Sequence, residues 1–442
     1  MGIRMLIDSF VGALGLCALS ARAAKDVDVR AFGAVGDGAT KDTAAIQRAI
    51  DDVGAAGGGR VTFASGTFVT GTVSLKSGVE LHLEVDAVLL GSPDERDWKD
   101  QPDARHVRTE LCPRRRSACL IFADEVENVA LTGRGVISGN GERFVEPIPG
   151  DHPGLQYRRR LSNDQSPPRV VFFAGCRDVR VEGVTLRDPP SGWSFWVNDC
   201  DRVRFRGVDV LTNMEYPNND GIHVNCSRDV LISDCRIETG DDAIVVRANS
   251  ASLAAPKPCE RVAVVNCSLR SYANAIRVGW LNDGVIRNCT FSNLAITDSA
   301  SGIGIVLPAG GSRASGFTDQ GVEATLVENL VFSNIVMDRM GGRPVHMEIS
   351  DREGTRCEAV RRIRFSNLMA RGLEFPLLLG RPANPLEDIV FSCCSFVREP
   401  DTRPAYRGWE KRGFTRGLRR AGAAERAHLR NVRFENVSFD AD

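Results

Sequence analysis

The stretch Asp229-Val-Leu-Ile-Ser-Asp-Cys-Arg-Ile237 contains the pattern that decides the fold. Apolar and polar residues alternate along it on both sides of a polar corner, which is typical of short β-strands joined by tight turns. Similar units, with Gly, Asn or Asp at the corner, recur at 178–186, 202–210, 261–269, 284–291, 329–337, 362–369 and 431–439. Most successive copies are roughly 20 to 35 residues apart, and such internal repetition predicts a solenoid.

Two or three strands per repeat with no helix between them are incompatible with βαβ units. The strands can instead coil, so that each pairs in parallel with its equivalent one turn later, at about 4.8 Å. A β-propeller would need a more regular period of roughly 40–50 residues. We therefore predict an all-β fold, a single right-handed parallel β-helix over residues 25–442. Asparagines at the corners tolerate a left-handed backbone and are expected to stack as a ladder, at Asn266, Asn288, Asn334, Asn367 and Asn436.

The ends and insertions of the solenoid are also visible. Residues 42–53 carry apolar side chains at helical spacing, which predicts an amphipathic helix that caps the first coil, with Asp42 as its N-cap. The segments 94–118 and 143–168 lack periodicity and are predicted to be long loops. The segment 401–427 is a further insertion to which we assign no role.

Charge and targeting signals restrict the partners. The net charge of −1 gives no field to attract nucleic acid or an anionic membrane. Residues 1–24 resemble a signal peptide, with Arg4 before an apolar run and Ala21-Arg22-Ala23 as a cleavage-like site; an ordinary N-terminus is the alternative. No later apolar run approaches the roughly 20 residues of a membrane span. We expect a soluble monomer that is secreted or periplasmic.

The 13 cysteines do not indicate a metal site. No Cys-x-x-Cys pair is present, so we expect no zinc, and we predict no cofactor. Cysteines inside the repeats are interpreted as small buried side chains, at Cys176, Cys200, Cys226, Cys267 and Cys289. The better disulfide candidates are Cys112 with Cys119, and Cys357 with an unassigned partner.

Two acidic motifs lie one coil apart, Asn218-Asn219-Asp220-Gly221-Ile222 and Gly240-Asp241-Asp242-Ala243-Ile244. Alignment of the two isoleucines puts Asp220 under Asp242, with Asp241 beside them. Either motif alone is more often a turn than a catalytic site. Three neighbouring carboxylates, however, raise at least one pKa by repulsion. A protonated and an ionised carboxyl together can cleave a glycosidic bond.

With these motifs the chain resembles glycoside hydrolase family 28, the polygalacturonase-like enzymes. The resemblance also covers Val29-Arg-Ala-Phe-Gly-Ala-Val-Gly-Asp-Gly38, 57–63 and 71–75. It implies a polysaccharide or oligosaccharide substrate, with pectic fragments first. It also implies that Asp241 is the general acid, whereas Asp220 and Asp242 hold and deprotonate the attacking water, with inversion.

Two motifs of the family are altered. Ala273-Asn274-Ala275 stands where the family has Gly-His-Gly, and Gly304-Ile305-Val306 stands where it has an Arg-Ile-Lys that grips the sugar carboxylate. Side chains of a strand alternate between its two faces, so inward isoleucines fix which residues point outward. We expect the inward row to be Ile222, Ile244, Ile276 and Ile303. The first outward column is then His223, Val245, Arg277 and Gly304, and the second is Asn225, Arg247, Gly279 and Val306.

Arg247 and Arg277 therefore have two interpretations. They rebuild a substrate-binding patch closer to the aspartates, or they are ion-pair partners of Asp241 and Asp242. The predicted substrate-binding set is Asn219, His223, Arg247, Asn274 and Arg277. Trp193, Trp196 and Trp280 could stack on sugars or pack under loops. His346 and Glu348 are a candidate distal subsite.

Two other functions remain open. A polysaccharide lyase on the same fold would use Arg277 as base and bind Ca²⁺ through the three aspartates. A non-catalytic, carbohydrate-binding adhesin would need no aspartate at all.

Overall fold

The computed structural model describes residues 24–101, 117–150, 156–162, 165–308, 321–350, 354–400 and 426–441. Within these ranges there is one α-helix, α1 (Thr43–Ala55), and short 3₁₀ turns cover Val29–Phe32, Glu95–Asp97 and Gly141–Arg143. The strands of these ranges are, in chain order, β1 (Lys25–Asp28), β2 (Asp37–Lys41), β3 (Gly59–Phe63), β4 (Gly66–Thr70), β5 (Val73–Ser74), β6 (Val79–Leu83), β7 (Ala87–Gly91), β8 (Ile121–Asp124), β9 (Glu127–Gly133), β10 (Val136–Ser138), β11 (Val145–Pro147), β12 (Tyr157–Arg159), β13 (Arg169–Ala174), β14 (Arg177–Glu182), β15 (Thr185–Arg187), β16 (Trp193–Asn198), β17 (Asp201–Arg206), β18 (Asp209–Leu211), β19 (Ile222–Asn225), β20 (Arg228–Ser233), β21 (Arg236–Thr239), β22 (Ile244–Arg247), β23 (Cys259–Val265), β24 (Ser268–Ser271), β25 (Asn274–Val278), β26 (Val285–Thr297), β27 (Ser301–Leu307), β28 (Thr325–Met340), β29 (Val345–Ile349), β30 (Cys357–Gly372), β31 (Leu377–Leu379), β32 (Leu386–Arg398), β33 (Arg426–Ala427) and β34 (Leu429–Ala441).

The strands stack into the three faces of a right-handed parallel β-helix, and the predicted fold is confirmed. The first face runs through β1, β3, β6, β9, β14, β17, β20 and β23, and the second through β2, β4, β7, β10, β15, β18, β21 and β24. Both faces continue into the long strands β26, β28, β30, β32 and β34, which bend through the corner between them. The third face is β5, β8, β13, β16, β19, β22, β25, β27, β29, β31 and β33, all parallel neighbours.

The core lies inside the coils, where equivalent side chains of successive coils stack. Phe332 and Phe365, for example, stack with their ring centroids 5.0 Å apart, and Phe291 and Phe391 extend the stack at 4.7 and 4.5 Å. On the third face Ile222, Ile244, Ile276 and Ile303 pair in register and are fully buried, as predicted.

The corner asparagines adopt the expected left-handed backbone, but they form more than one ladder. Asn367 donates to Asn334, and Asn334 donates to Asn293, which continues the row to Asn266. Asn288 belongs to a separate row, because its side chain accepts from Asn329.

Helix α1 caps the first coils and buries Ile46, Ile50 and Val53, as predicted. Asp42 occupies the predicted N-cap position, although its side chain makes no hydrogen bond to the helix. Its carboxylate instead accepts from the backbone N–H groups of Val35, at 2.7 Å, and Gly36, at 3.0 Å.

The predicted long loops are only partly tested. Within 143–168, strands β11 and β12 form an antiparallel hairpin, so this segment is not purely a loop as predicted. Most of 94–118 and of 401–427 lies outside the described residues, as does the predicted signal peptide up to residue 23. The division into a signal peptide and one domain stays a prediction. Among the described residues no helix has the length and hydropathy to span a membrane.

The cysteine predictions are partly wrong. Cys119 and Cys357 are both free thiols, and Cys112 lies outside the described residues. The five repeat cysteines are free and buried as expected.

A column of alternating charge runs along the first face. Successive members pair in register with opposite charges, in the order Glu127, Arg177, Asp201, Arg228, Glu260, Arg287, Glu328, Arg361, Glu387 and Arg430. The Arg228–Asp201 and Arg287–Glu260 pairs have N–O distances of 3.0 and 2.7 Å.

Candidate active site

The two acidic motifs lie where the chain enters β19 and β22 of the third face. The backbone N–H of Gly221 donates to the carbonyl of Asp242, and that of Ile222 donates to Ala243, both at 2.9 Å. A β-carbon at Gly221 would lie 2.3 Å from the Ala243 carbonyl oxygen, so the close approach of these coils requires glycine. The predicted stacking of the two motifs is confirmed.

Asp242 is buried and held by three donors. Its Oδ1 accepts from the backbone N–H of Asn274 at 3.0 Å and from Asn274 Nδ2 at 2.7 Å. Its Oδ2 accepts from Arg277 Nη1 at 2.7 Å. A charge-assisted bond and two further bonds fix this carboxylate in one orientation.

Asp220 is buried beside the other two carboxyls. Burial raises the pKa of Asp220 well above its usual range, and repulsion from Asp241 and Asp242 raises it further. The cation of Arg277 and a 3.1 Å bond from Asn218 Nδ2 oppose this increase in pKa only in part. The site therefore retains a proton on a carboxyl at a pH at which an exposed aspartate would be ionised.

Asp241 is the most exposed of the three aspartates. Its Oδ1 accepts from the backbone N–H of Asp242 at 3.1 Å. Its carbonyl oxygen accepts from Thr239 Oγ1 at 2.6 Å and Ser271 Oγ at 2.7 Å. The backbone of this turn is thereby tied to the end of β21 and to β24 of the next coil, while the carboxyl remains accessible.

His223 lies next to Asp220 as a neutral side chain. Its Nδ1 is 3.8 Å from Asp220 Oδ2, and its ring lies against Trp193, with the centroids 4.0 Å apart. Burial lowers the pKa of His223 well below its usual range, and the nearby cations of Arg247 and Arg277 lower it further. His223 can accept or donate a hydrogen bond here but is not a cation.

Arg277 faces the site with unused donors. Its guanidinium lies 3.7 Å from the ring centroid of Trp280, which fixes its plane by a cation–π contact. Nη1 binds Asp242, whereas Nε and Nη2 are buried and have no hydrogen-bond partner among the residues that the structure describes. Buried donors that lack a partner are rare in proteins, so this group is a candidate binding position.

Arg247 is more deeply buried than Arg277. Only 1% of its side chain is exposed, and it forms a bidentate pair with Asp283, with Nε and Nη2 each 2.7 Å from a carboxylate oxygen. The predicted ion-pair partners of Arg247 were Asp241 and Asp242, and Asp283 is neither of them. Asp283 escaped the sequence analysis because Asn282-Asp283-Gly284 is an ordinary turn sequence.

The remaining predicted site residues differ in how close they are to the carboxyls. Asn274 binds Asp242 directly. Asn219 is fully buried, and its Nδ2 donates to Thr212 Oγ1 at 2.9 Å and to the Asn213 carbonyl at 2.7 Å. Asn219 therefore holds the loop that leads into the first acidic motif.

Trp196 and Trp280 have different environments. Trp196 is only 2% exposed and stacks on Phe172, with the centroids 4.2 Å apart. Arg169, which the sequence analysis did not single out, lies 3.7 Å from the Trp196 centroid. Trp196 therefore packs inside the protein, whereas Trp280 supports Arg277 at the site.

Comparison with known proteins gives the class. The family model described as "Glycosyl hydrolases family 28" matches residues 112–373, and "Rhamnogalacturonase A/epimerase, pectate lyase-like" matches residues 27–82. The chain belongs to glycoside hydrolase family 28.

Curated relatives agree with this family. The chain is 30% identical over 303 residues to "Probable polygalacturonase" of Vitis vinifera, covering 66% of this chain and 59% of that protein. It is 24% identical over 371 residues to "Exo-poly-alpha-D-galacturonosidase" of Dickeya chrysanthemi, covering 75% of this chain and 58% of that protein. The chain thus matches less than two thirds of the length of either relative.

Solved structures share the fold. An exopolygalacturonase from Thermotoga maritima superposes with a TM-score of 0.63 at 23% identity, covering 85% of this chain and 87% of that one. A family 28 exopolygalacturonase from Yersinia enterocolitica superposes with a TM-score of 0.68 at 20% identity, covering 94% and 76%.

Proposed function

We propose that this protein is an inverting glycosidase that cleaves acidic, pectic polysaccharides or oligosaccharides. The observation that carries the proposal is the cluster of Asp220, Asp241 and Asp242, in which burial and repulsion keep a proton on a carboxyl. A cluster that holds both a proton and a negative charge has the acid and the base that glycoside hydrolysis needs.

The three aspartates have different environments, which supports a division of roles. Asp241, the most accessible, protonates the leaving glycosidic oxygen. Asp220 and Asp242 hold a water molecule against the opposite side of the sugar and accept its proton as it attacks the anomeric carbon. Strongly interacting carboxyls titrate as a set, so the raised pKa of Asp220 is a property of the whole trio.

Arg277 supports an acidic substrate. Its Nε and Nη2 form a pair of donors that matches a carboxylate, and the contact with Trp280 keeps the pair in place. The polygalacturonase names of the relatives point to the same class of sugar. A lyase reaction would require Arg277 to remove a proton, yet this guanidinium is ion-paired with Asp242, and arginine side chains act only as donors in proteins.

A substrate panel tests the proposal. The purified protein is incubated with polygalacturonate, rhamnogalacturonan and neutral oligosaccharides. The release of reducing ends measures hydrolysis, and NMR identifies the anomer of the first product. We expect hydrolysis of an acidic member with inversion, and its loss in Asp241→Asn. Retention of the anomeric configuration would refute the mechanism. An unsaturated product absorbing in the ultraviolet would identify a lyase, and full activity of Asp241→Asn would remove the assigned acid.

A further inference from the structure

Arg180 and Arg204 form a like-charged pair on the first face. They belong to the outward column next to the alternating charges, where Arg180 of β14 lies in register with Arg204 of β17. Neighbouring strands are about 4.8 Å apart, and like charges directly opposite one another are destabilising. Leu231 follows Arg204 in the column, so the next coil supplies no carboxylate at this position. The column therefore holds two cations side by side.

A second arginine of β17 adds to this positive charge. Arg204 and Arg206 both belong to β17, and both are exposed. Neither forms an ion pair with any residue that the structure describes. Glu182 lies opposite Arg206, but its carboxylate binds Arg180 instead, with an N–O distance of 3.0 Å. Strand β17 thus presents two cations that no neighbouring carboxylate binds.

A depression of about 630 Å³ lies on the same face. This volume is within the range of ligand pockets, roughly 300–1,000 Å³. Ala130 stands between Glu80 and Arg180 in the column, and its small side chain leaves space between them. The charged residues that line the depression are four arginines and three acids, namely Arg60, Arg180, Arg202, Arg204, Asp26, Glu80 and Asp178.

Most of the negative charge in this depression is bound by arginines. Glu80 pairs with Arg60 at 3.2 Å and with Arg180 at 3.3 Å. Asp178 pairs with Arg202 at 2.7 Å. The third acid, Asp26, lies on β1, at the opposite end of the lining from β17. The end of the depression formed by β14 and β17 therefore has an excess of positive charge.

We propose that Arg180, Arg204 and Arg206 form an anchoring site that binds a second stretch of an acidic glycan chain. A guanidinium group presents paired donors that match a carboxylate, and charge-assisted bonds of this kind are strong. A carboxylate bound between Arg180 and Arg204 also offsets the repulsion between these two cations. The inference rests on the proposed function for the kind of glycan, because a pectic polymer carries such carboxylates along its length.

The anchoring site lies on a different face from the catalytic aspartates. Strands β14 and β17 belong to the first face, whereas Asp220 and Asp242 lie where the chain enters β19 and β22 of the third face. A glycan held at Arg204 therefore leaves the catalytic carboxyls free. The site keeps the enzyme on the polymer and raises the local concentration of bonds to be cleaved.

Binding is measured in the Asp241→Asn background, so that the polymer stays intact. The protein is run in native gels that contain polygalacturonate, and its mobility is divided by that in a gel without polymer, which cancels any change in its own charge. We expect Arg204→Glu to weaken retardation several-fold and Arg204→Lys, which keeps the charge, to retain most of it. Because Arg204→Glu removes a repulsion, it should not lower the Tm.

The matched control is Arg433→Glu, which makes the same change of charge in the same column. Arg433 is exposed on β34, and its in-register neighbour is Val390 rather than a second arginine. This variant should be retarded as strongly as its parent. An equal response of Arg204→Glu and Arg433→Glu, whether both bind or neither does, would overturn the anchoring site.

Kinetics of the active enzyme give a second readout. For dilute polygalacturonate we expect Arg204→Glu to lower kcat/KM several-fold, whereas kcat/KM for trigalacturonate stays unchanged, and Arg433→Glu should alter neither. Equal kcat/KM of wild type and Arg204→Glu on the polymer would also overturn the inference. If Arg204-dependent retardation is found but neither substrate is hydrolysed, the proposed function fails and the anchoring site stands.

Discussion

A β-carbon added at Gly304 would lie 2.6 Å from Oδ1 of Asn274, so these two residues share one space on neighbouring coils. The amide of Asn274 donates to Asp242. The absence of a side chain at 304 is therefore linked to the orientation of a proposed catalytic carboxylate. The two departures from the family motifs, at 274 and at 304, therefore lie side by side in the structure.

The first prediction concerns this shared space. We expect Gly304→Ala to push Asn274 from Asp242 and lower kcat by about 10- to 100-fold, since a lost bond to a charged group costs about 1.5–3 kcal/mol. In the Asn274→Ala background the same substitution meets no amide and should cost little more. Steady-state kinetics of the double-mutant cycle measure the coupling. Simple additivity of the two effects would contradict the shared space.

The second prediction concerns Asp220. We expect Asp220→Asn to lower kcat by about 10²–10⁴-fold, as loss of an acid–base group does. Its effect on stability depends on pH. Because the folded-state pKa of Asp220 is raised, the folded protein binds more protons than the unfolded chain between the two pKa values, and stability falls as pH rises through that range.

Asparagine has no charge, so it removes the free-energy cost of ionising a buried carboxyl. The Tm of Asp220→Asn should therefore exceed that of the wild type at pH 7, and the two Tm values should converge near pH 3.5. The control is Asp229→Asn on the first face. The Arg261 guanidinium lowers the pKa of Asp229, so this variant should be slightly less stable at pH 7. An equal Tm difference for Asp220→Asn at both pH values would contradict the raised pKa.

The third prediction concerns substrate charge. We expect Arg277→Ala to reduce the preference for galacturonate over its methyl ester about tenfold or more, because two donors to a carboxylate are lost. The readout is the ratio of kcat/KM for the acid to kcat/KM for the methyl ester. Loss of the ion pair with Asp242 slows the hydrolysis of both substrates equally, so it cancels in this ratio. Arg287→Ala, on the first face, is the matched control. An unchanged ratio would remove Arg277 from substrate recognition.

The fourth prediction separates Arg247 from Arg277. Arg247→Met leaves Asp283 buried and unpaired, which should cost about 3–5 kcal/mol of the free energy of unfolding. Arg247→Met with Asp283→Asn should recover much of that loss. Thermal or denaturant unfolding measures both variants. A stable Arg247→Met protein with a raised KM would show instead that Arg247 contacts the substrate.

Much of the scaffold was predictable because it rests on periodicity. Alternation and repetition gave the stacked coils, the inward isoleucines and the positions of Asp220, Asp241 and Asp242. These features follow from local sequence and from the spacing of parallel strands. The partner of Arg277 was one of two open interpretations, and the ion pair with Asp242 is present.

The parts that escaped prediction depend on particular side-chain contacts that no repeat encodes. The hairpin β11–β12 lies in an insertion, Asp283 lies in the turn before β26, and Arg169 packs against Trp196 across the neighbouring strands β13 and β16. No periodicity identifies Asp283 as a buried anion, since its neighbours are those of a turn.

The alternating charges from Glu127 to Arg430 constrain how such a protein can change in length. Duplication or loss of a single coil would bring like charges face to face, whereas gain or loss of two adjacent coils would preserve every attraction. Like charges directly opposite on neighbouring strands are destabilising. The column therefore makes a pair of coils the natural unit by which this solenoid lengthens or shortens in evolution.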